Sequence, residues 1–530
     1  MKGFYQKFSD ILSQLVKEHY DIILEPPLWE VPQRHDFGDL SSMVALKLAS
    51  RLKKDSIEIA TTLKVAFEKA IGSDAKSIEI LKPGFINVFI SHEALISSLN
   101  ELLTQRDRFF RKDISRRVLL EFASANPTGP LSIAHGRQAV VGDVIGNILS
   151  FYGNNVEKEY YVNDEGKQIV LFAASMEERI KEARGEPFRI PEDGYVGEYL
   201  KDVAAAYLAE GKGMGILQFS LAYILSWIRQ DLDALGIHFD NWKSQKKLID
   251  DKRVESAINE LREKDLIYEQ EGVLWFASTK FGDDKDRVIK KSDGELTYFA
   301  SDIAYHRDKL ARHFDALINL WGPDHHGYIG RVEAALQALG YPKEKLAVII
   351  IQLVTLTTKE KMSKRRGTAI LLSDLVSEVG KDAARFYYLL RRNSSPLEFD
   401  VELAQEATSN NPLYYVQYAC ARIESIFKKT DIAVSVEKSV FLKEDSEIIY
   451  LRSILQFSNC LDKAYYTSEP VFIVEFLKSL AGDFHKFYEN TRVLGDDREV
   501  TAARLNLLEA TRVILHCGLG ILGITPAKEM

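Results

Sequence analysis

The stretch VLLEFASANPTGPLSIAHG, residues 118–136, decides how the rest of the chain is read. Val118 to Phe122 is a short, largely apolar run with the composition of a strand covered on both faces. Ala123 to Pro130 holds Asn126, Thr128, Gly129 and two prolines, the chemistry of a loop. A helical run then extends from about Ser132 to Phe151, with Ser132 as N-cap and His135 in the first turn. Strand, loop and helix start in this order open a nucleotide-binding α/β unit. The free N–H groups of such a helix start form an anion site.

Working outward, the strand-like runs Asp315 to Trp321 and Leu346 to Leu356 flank a helical segment at Ile329 to Leu339, and this alternation predicts a parallel sheet. The 11 residues from Leu346 to Leu356 read as one buried strand. From about Asp374 onward the periodicity is almost purely helical, so a separate α-helical domain closes the chain. Before the central unit, Phe4, Phe8, Leu12 and Val16 recur every fourth residue and predict an amphipathic helix ending before Pro26 and Pro27. A helix over Ser41 to Leu52 and strands at Ser77 to Leu81 and Phe85 to Ile90 complete a first unit, and the charged stretch Arg106 to Arg117 marks its boundary. There is no internal repeat or low-complexity tract.

At roughly 150 residues per domain, 530 residues imply three or four folding units. A hydrophobic share of 46% with 28% charged residues excludes a disordered or fibrous chain. Lys and Arg total 69 against 77 Asp and Glu, a net charge of −8, so contact with nucleic acid must be confined to local basic patches. Cys420, Cys460 and Cys517 are widely spaced with no C-x-x-C pair. Neither a disulfide framework nor a tightly bound protein metal is expected. No run reaches the ~18 apolar residues of a membrane span, and the first residues lack the apolar centre of a signal peptide. A cytoplasmic protein is expected.

The chain contains neither G-x-x-x-x-G-K-[ST] nor a G-x-G-x-x-G after a strand, so a nucleotide must be held another way. Alone, residues 132–136 are an ordinary capped helix start. Lys359-Glu360-Lys361-Met362-Ser363-Lys364-Arg365-Arg366-Gly367 places five cations in a loop-like context, and alone this is a solvated charge run. Together, ahead of an all-helical tail, the two segments resemble the class I aminoacyl-tRNA synthetases, whose signatures are His-Ile-Gly-His and Lys-Met-Ser-Lys-Ser. Glu121 to Pro130, Tyr161 to Gly166, Asp302 to His306, Gly322 to Tyr328 and Asn411 to Ala419 look like arginyl-tRNA synthetase. Gly38-Asp39, Pro83 to Asn87 and Leu522 to Met530 are similar to that family as well, so the resemblance spans the chain.

The resemblance implies a Rossmann-type parallel-sheet catalytic domain (113–400), an α+β N-terminal domain (1–112) that approaches the tRNA elbow, and an all-α anticodon-binding domain (401–530). In this family the arginine carboxylate attacks the α-phosphate of ATP, releasing pyrophosphate, and the adenylate then acylates the terminal adenosine of the tRNA. Such chemistry needs positioning and charge neutralisation. By resemblance Ser132, Ala134, His135 and Gly136 meet ATP. Lys361 and Lys364 neutralise its β- and γ-phosphates, Mg²⁺ arrives with the nucleotide, and Asp324 faces the ribose. Glu121 and Asp302 supply carboxylates and Tyr298 a hydroxyl to the guanidinium, whose five donors form a rigid fork. Tyr298 and Asp302, four apart, share a helix face. Asn126, aided by His326, takes the α-amino group. Tyr414, Tyr418 and Arg422 meet the anticodon by stacking and charge, although Tyr414 and Tyr418 also fit a helix core stripe. A monomer is expected.

The pattern departs from the family at Ser132, in the place of the first signature histidine, and at Ala134, in the place of the glycine. A serine can hydrogen-bond but cannot carry positive charge. The leading reading is an active arginine-tRNA ligase. A tRNA-binding paralogue weakened in ATP chemistry is the alternative, and a nucleotidylyl transferase on the same fold is disfavoured by the long helical tail.

Overall fold

The computed structural model describes residues 4–32, 34–211, 213–357 and 370–530. The chain divides into two compact units, Asp113–Gln405 and a second made jointly of Met1–Lys112 and Glu406–Met530.

In the Asp113–Gln405 unit, five strands form one parallel sheet: β1 (Arg117–Glu121), β2 (Asn155–Val162), β3 (Asn241–Ser244), β4 (Ala316–Trp321) and β5 (Leu346–Ile350), in the order β5-β4-β1-β2-β3. Val118, Leu119 and Leu120 of β1 are all buried, as expected for a strand covered on both faces. Helix α1 (Ile133–Phe151) follows β1 and buries residues around its circumference, among them Ala139, Val140, Val141, Val144 and Ile145, so it is a core helix rather than an amphipathic one. Helix α2 (Tyr298–Ala311) precedes β4. The chain runs outward from β1 through β2 and β3, then crosses back to place β4 and β5 on the other side of β1. This reversal parts the connections leaving β1 and β4 and opens a crevice at their carboxyl ends, where sheets of this type bind ligands.

The run Leu346 to Leu356 is not one strand. β5 ends at Ile350, and Val354–Leu356 pairs in parallel with Leu397–Phe399 in a separate two-stranded sheet. The cause is Arg137, a fully buried residue of α1. Its guanidinium donates to the carbonyls of Gln352, Arg392 and Ser395 at 2.8–2.9 Å, drawing the backbone off the sheet edge to meet a buried charge that needs acceptors. The strand Leu397–Phe399 also interrupts the helical run expected from Asp374. A three-stranded antiparallel sheet (Ile267–Gln270, Val273–Phe276, Arg287–Lys290) stands apart from the parallel one. Its first turn takes Glu271 to φ 54° and Gly272 to φ 73°, the left-handed pair that matches hairpin twist.

In the second unit, helix Phe4–Tyr20 buries Phe8, Leu12 and Val16, each worth about 1.5–3 kcal/mol of apolar burial. An antiparallel sheet places Phe85–Ile90 between Leu40–Ser42 and Ala75–Leu81. The helix expected from Ser41 therefore starts later, at Val44–Leu52. The C-terminal part is helical: α3 (Pro412–Phe427), Asp445–Leu455, Phe457–Thr467, Val471–Asn490 and Arg498–Ile521. Asn411 caps α3 through the N–H groups of Leu413 and Tyr414, with Pro412 at the first helical position, as N-terminal preferences dictate. Ion pairs Arg106–Glu509 (2.5 Å) and Arg452–Asp39 (2.9 Å) join the first and last segments inside this unit. Among the described residues no helix is long and apolar enough to cross a membrane.

Candidate active site and nucleic-acid interface

The loop after β1 is held by the end of β2. The Tyr160 hydroxyl accepts from the Ala125 N–H and donates to the Ala125 carbonyl, both at 3.0 Å. Ser124 Oγ accepts from the Tyr161 N–H (3.0 Å) and donates to Glu121 Oε1 (3.1 Å). The pinned loop presents Asn126, whose amide donates to Gln168. Asn126 and His135 line one pocket of about 370 Å³ with Tyr195, Glu198, Tyr199 and Leu371. Tyr199, donating to the Thr128 carbonyl at 2.6 Å, fastens that far wall to the loop.

Ser132 is the extended N-cap of α1 (φ −89°, ψ 168°). Its N–H donates to His135 Nδ1 at 3.1 Å, and its Oγ lies 3.0 Å from the same nitrogen. Nδ1 is thereby an acceptor, so the neutral ring carries its proton on Nε2. Burial lowers the His135 pKa and favours that neutral form. Gly136 faces inward: a Cβ there would stand 2.5 Å from Leu372 Cδ1 and 2.6 Å from the Tyr388 hydroxyl, so its bare backbone lets α1 seat closely. Ala134 is half-buried in the same turn. The Ile133 N–H donates to the Ile370 carbonyl (3.3 Å) and the Leu372 N–H to the Leu131 carbonyl (2.8 Å), pairing the first signature with the backbone beyond the lysine-rich segment. Lys361 and Lys364 lie outside the described residues.

A second group surrounds Asp302 on α2. Its carboxyl accepts from the Tyr328 hydroxyl, and burial raises its pKa to about 7, with Tyr328 opposing the rise and the Glu121 charge adding to it. Among the described residues no Lys or Arg forms an ion pair with Asp302. The buried hydroxyl of Tyr161, stacked on Tyr305 at 4.0 Å, also lacks a hydrogen-bond partner among them. Tyr298, one helical turn before Asp302, is 53% exposed. A Cβ on Gly166 (φ +96°) would come within 2.9 Å of its hydroxyl, so that glycine leaves room for the ring.

Glu121, expected by resemblance to supply a carboxylate, has a cation of its own. Its Oε2 is 2.5 Å from Nζ of the fully buried Lys309, which also donates to Asn319 Oδ1 at 2.9 Å. Asn319 Nδ2 lies 3.1 Å from His306 Nε2, and His306 Nδ1 lies 2.9 Å from the Asp302 carbonyl. Burial first, then the Lys309 charge, lower the His306 pKa to about 3, so the ring is neutral and donates from Nδ1. Asp324 and His326 are exposed on the short 3-10 helix Pro323–Tyr328 after β4. That segment instead sends Tyr328 to Asp302. Sequence reading missed Lys309, Tyr328, Tyr160 and Tyr161. Tyr328 and Tyr161 sat inside quoted motifs, whereas Lys309 gave no signal in a chain rich in lysine.

In the other unit, Tyr418, Arg422 and Lys428 of the α3 region line a pocket of about 280 Å³ with Lys528, Glu529 and Met530. Tyr414 and Tyr418 lie nearly parallel at 6.4 Å, and Arg422 sits 4.8 Å over the Tyr488 ring. Tyr418 is 38% exposed. Gln417 pins the chain end: its Nε2 donates to the Thr525 carbonyl (2.8 Å) and its Oε1 accepts from the Ala527 N–H (2.7 Å).

Residues 98–400 match the family described as class I (R) tRNA synthetase catalytic domain, residues 4–90 the arginyl tRNA synthetase N-terminal domain, and residues 416–530 the DALR anticodon binding domain. The arginine-tRNA ligase of Geobacter sp. (strain M21) is 41% identical over 523 residues, 94% of each chain. The arginyl tRNA synthetase structure from Campylobacter jejuni is 35% identical with a TM-score of 0.76, covering 83% of this chain and all of its own. The Thermus thermophilus arginyl-tRNA synthetase shares the fold, with a TM-score of 0.80 at 21% identity over 99% of this chain and all of its own.

Proposed function

The chain belongs to the arginyl-tRNA synthetase family and is an arginine-tRNA ligase acting on ATP, arginine and tRNA, and on that premise we propose how its own residues divide the reaction. Asp302 anchors the arginine guanidinium, with the hydroxyls of Tyr298 and Tyr161 beside it and Glu121 behind it. The observation that carries this reading is a carboxyl that, among the described residues, has no cationic partner and is set next to a buried hydroxyl that has no hydrogen-bond partner among them. A guanidinium supplies both the charge and the donors that such a place lacks. Asn126, with His326 at the rim, takes the α-amino group and leaves the carboxylate turned toward the first signature.

His135 Nε2–H and the N–H groups at the start of α1 meet the nucleotide phosphates, where a helix N-terminus favours an anion, and Ser132 orients the His135 ring toward them. Ala134 and Gly136 border that nucleotide, and Asp324 faces its ribose. Lys361 and Lys364 neutralise charge on the leaving pyrophosphate, and Mg²⁺ comes with the ATP phosphates. Attack by the arginine carboxylate on the α-phosphate forms arginyl-adenylate and pyrophosphate. The 2'-hydroxyl of the terminal adenosine then takes the arginyl group and releases AMP. Tyr414, Tyr418 and Arg422 bind the anticodon, within residues 401–530, while residues 1–112 approach the tRNA elbow and 113–400 carry out catalysis. The protein works as a cytoplasmic monomer.

The test is to charge total tRNA with each standard amino acid in turn, and to follow ATP-pyrophosphate exchange with and without tRNA. Only arginine should be attached, and exchange should stay near background until tRNA is added, because tRNA binding favours the competent site. Robust exchange in tRNA-free protein would remove that coupling, and attachment of another amino acid would remove the assignment of Asp302.

A further inference from the structure

Three carboxylates crowd the stacked pair Tyr161 and Tyr305: Glu121 from β1 beside both rings, Glu159 from β2 beside Tyr305 and Asp302 from α2 beside Tyr161. Glu159 is fully buried and is met by the Arg312 guanidinium at 2.6 and 2.9 Å and by the Tyr305 hydroxyl at 2.8 Å. Glu121 is met by Lys309, whose ammonium is itself fully buried and also lies 4.2 Å from the Tyr305 ring centre. Asp302 alone of the three forms no ion pair among the described residues; its carboxyl accepts from the Tyr328 hydroxyl. On the far side of Tyr161, Asp164 spends its oxygens on Ser244 Oγ and the Lys246 N–H.

We propose that Lys309 is the built-in counter-charge of the arginine seat: by neutralising Glu121 it leaves one uncompensated carboxylate, so that the site takes one guanidinium. This rests on the reading of Asp302 as the guanidinium anchor. The reasoning is electrostatic. A buried lysine without exposed surface is unusual unless paired, and two neighbouring carboxylates that share a site without a cation cannot both ionise near neutrality. Without Lys309, the unpaired Glu121 charge would hold the proton on Asp302 to higher pH, so that Asp302 would meet the substrate cation protonated. Lys309 acts through Glu121 and is a positioning residue, not a catalytic one.

The experiment measures kcat/KM for arginine in tRNA charging against pH, for the full chain and three variants. Lys309→Met should move the acid-side midpoint up by about one pH unit or more, so the loss should be about tenfold larger at pH 6 than at pH 9. Glu121→Gln should move the midpoint the opposite way, because Lys309 then stands unopposed beside Asp302. The double variant Lys309→Met/Glu121→Gln removes both charges and should bring the midpoint back toward that of the unaltered chain. A purely structural role for Lys309 would lower activity without opposed shifts, and single-variant midpoints that stay put or move the same way would overturn the proposal. If thermal melts show that Lys309→Met does not fold, the Glu121→Gln shift and its reversal in the double variant still decide. Asp302→Asn with unaltered arginine kinetics would instead sink the seat itself, a separate failure.

Discussion

His135 Nδ1 sits 3.1 Å from the backbone N–H of Ser132 and 3.0 Å from its hydroxyl. The residue that replaces the first signature histidine is therefore spent on orienting the second. Two donors converge on one ring nitrogen, and the backbone one survives any substitution of the side chain. Ser132→Ala should therefore cost only the share of one hydrogen bond, about 0.5–1.5 kcal/mol, or roughly 2- to 12-fold in kcat for charging. His135→Ala should cost distinctly more, since it removes the group that faces the substrate. Equal losses in the two variants would mean that the serine hydroxyl touches the phosphates directly.

Asp302 makes arginine use pH-dependent. Its carboxyl, raised to about 7 by burial, is largely protonated below that value in the unliganded chain, and a guanidinium needs the carboxylate. kcat/KM for arginine should climb with pH up to about 7 and level off above it. Asp302→Asn should abolish the climb and lower kcat/KM by roughly 30-fold or more, the value of a buried charged hydrogen bond of about 2–5 kcal/mol. The sign for stability is the reverse. Between the ordinary carboxyl pKa and about 7 the folded chain binds the proton that the unfolded chain has lost, so Asp302 lowers folding stability as pH rises through that window. Melts of Asp302→Asn against the unaltered chain at pH 5 and pH 8 would show this as a larger gain for the variant at pH 8.

Lys364 should separate chemistry from affinity. If it neutralises the pyrophosphate mainly as charge develops, Lys364→Ala should lower kcat by about 10- to 150-fold, for 1.5–3 kcal/mol of charged hydrogen bonding, and leave the KM for tRNA nearly unchanged. A normal kcat would end the assignment.

Gln417 should act on tRNA alone. Gln417→Leu removes the hydrogen bonds to the Thr525 carbonyl and the Ala527 N–H, and the segment that lines the pocket with Tyr418 and Arg422 loses two of its ties. At about 1 kcal/mol per hydrogen bond, the KM for tRNA should rise roughly five- to thirtyfold while the KM for arginine stays put. Steady-state charging at varied tRNA reads this directly, and an unchanged tRNA KM would place the anticodon elsewhere.

What the sequence determined by itself was local chemistry and periodicity. The apolar run and loop at 118–136 announced β1 and the start of α1, the four-residue spacing from Phe4 announced the first helix, and Asn411-Pro412 announced the start of α3, because caps, turns and amphipathic faces depend on neighbours within a few positions. The motifs likewise carried the family, since they are contiguous. Tertiary structure alone decided the rest. It split Leu346 to Leu356 into two sheets because the buried Arg137 of α1 needed carbonyls, and it bound Glu121 to Lys309, 188 positions away, giving a residue that the resemblance assigns to the substrate an internal cation as well. It also brought Tyr328 and Tyr161 to Asp302. Charge compensation in a buried site depends on which side chains the fold brings within about 3 Å, and no spacing along the chain records that distance.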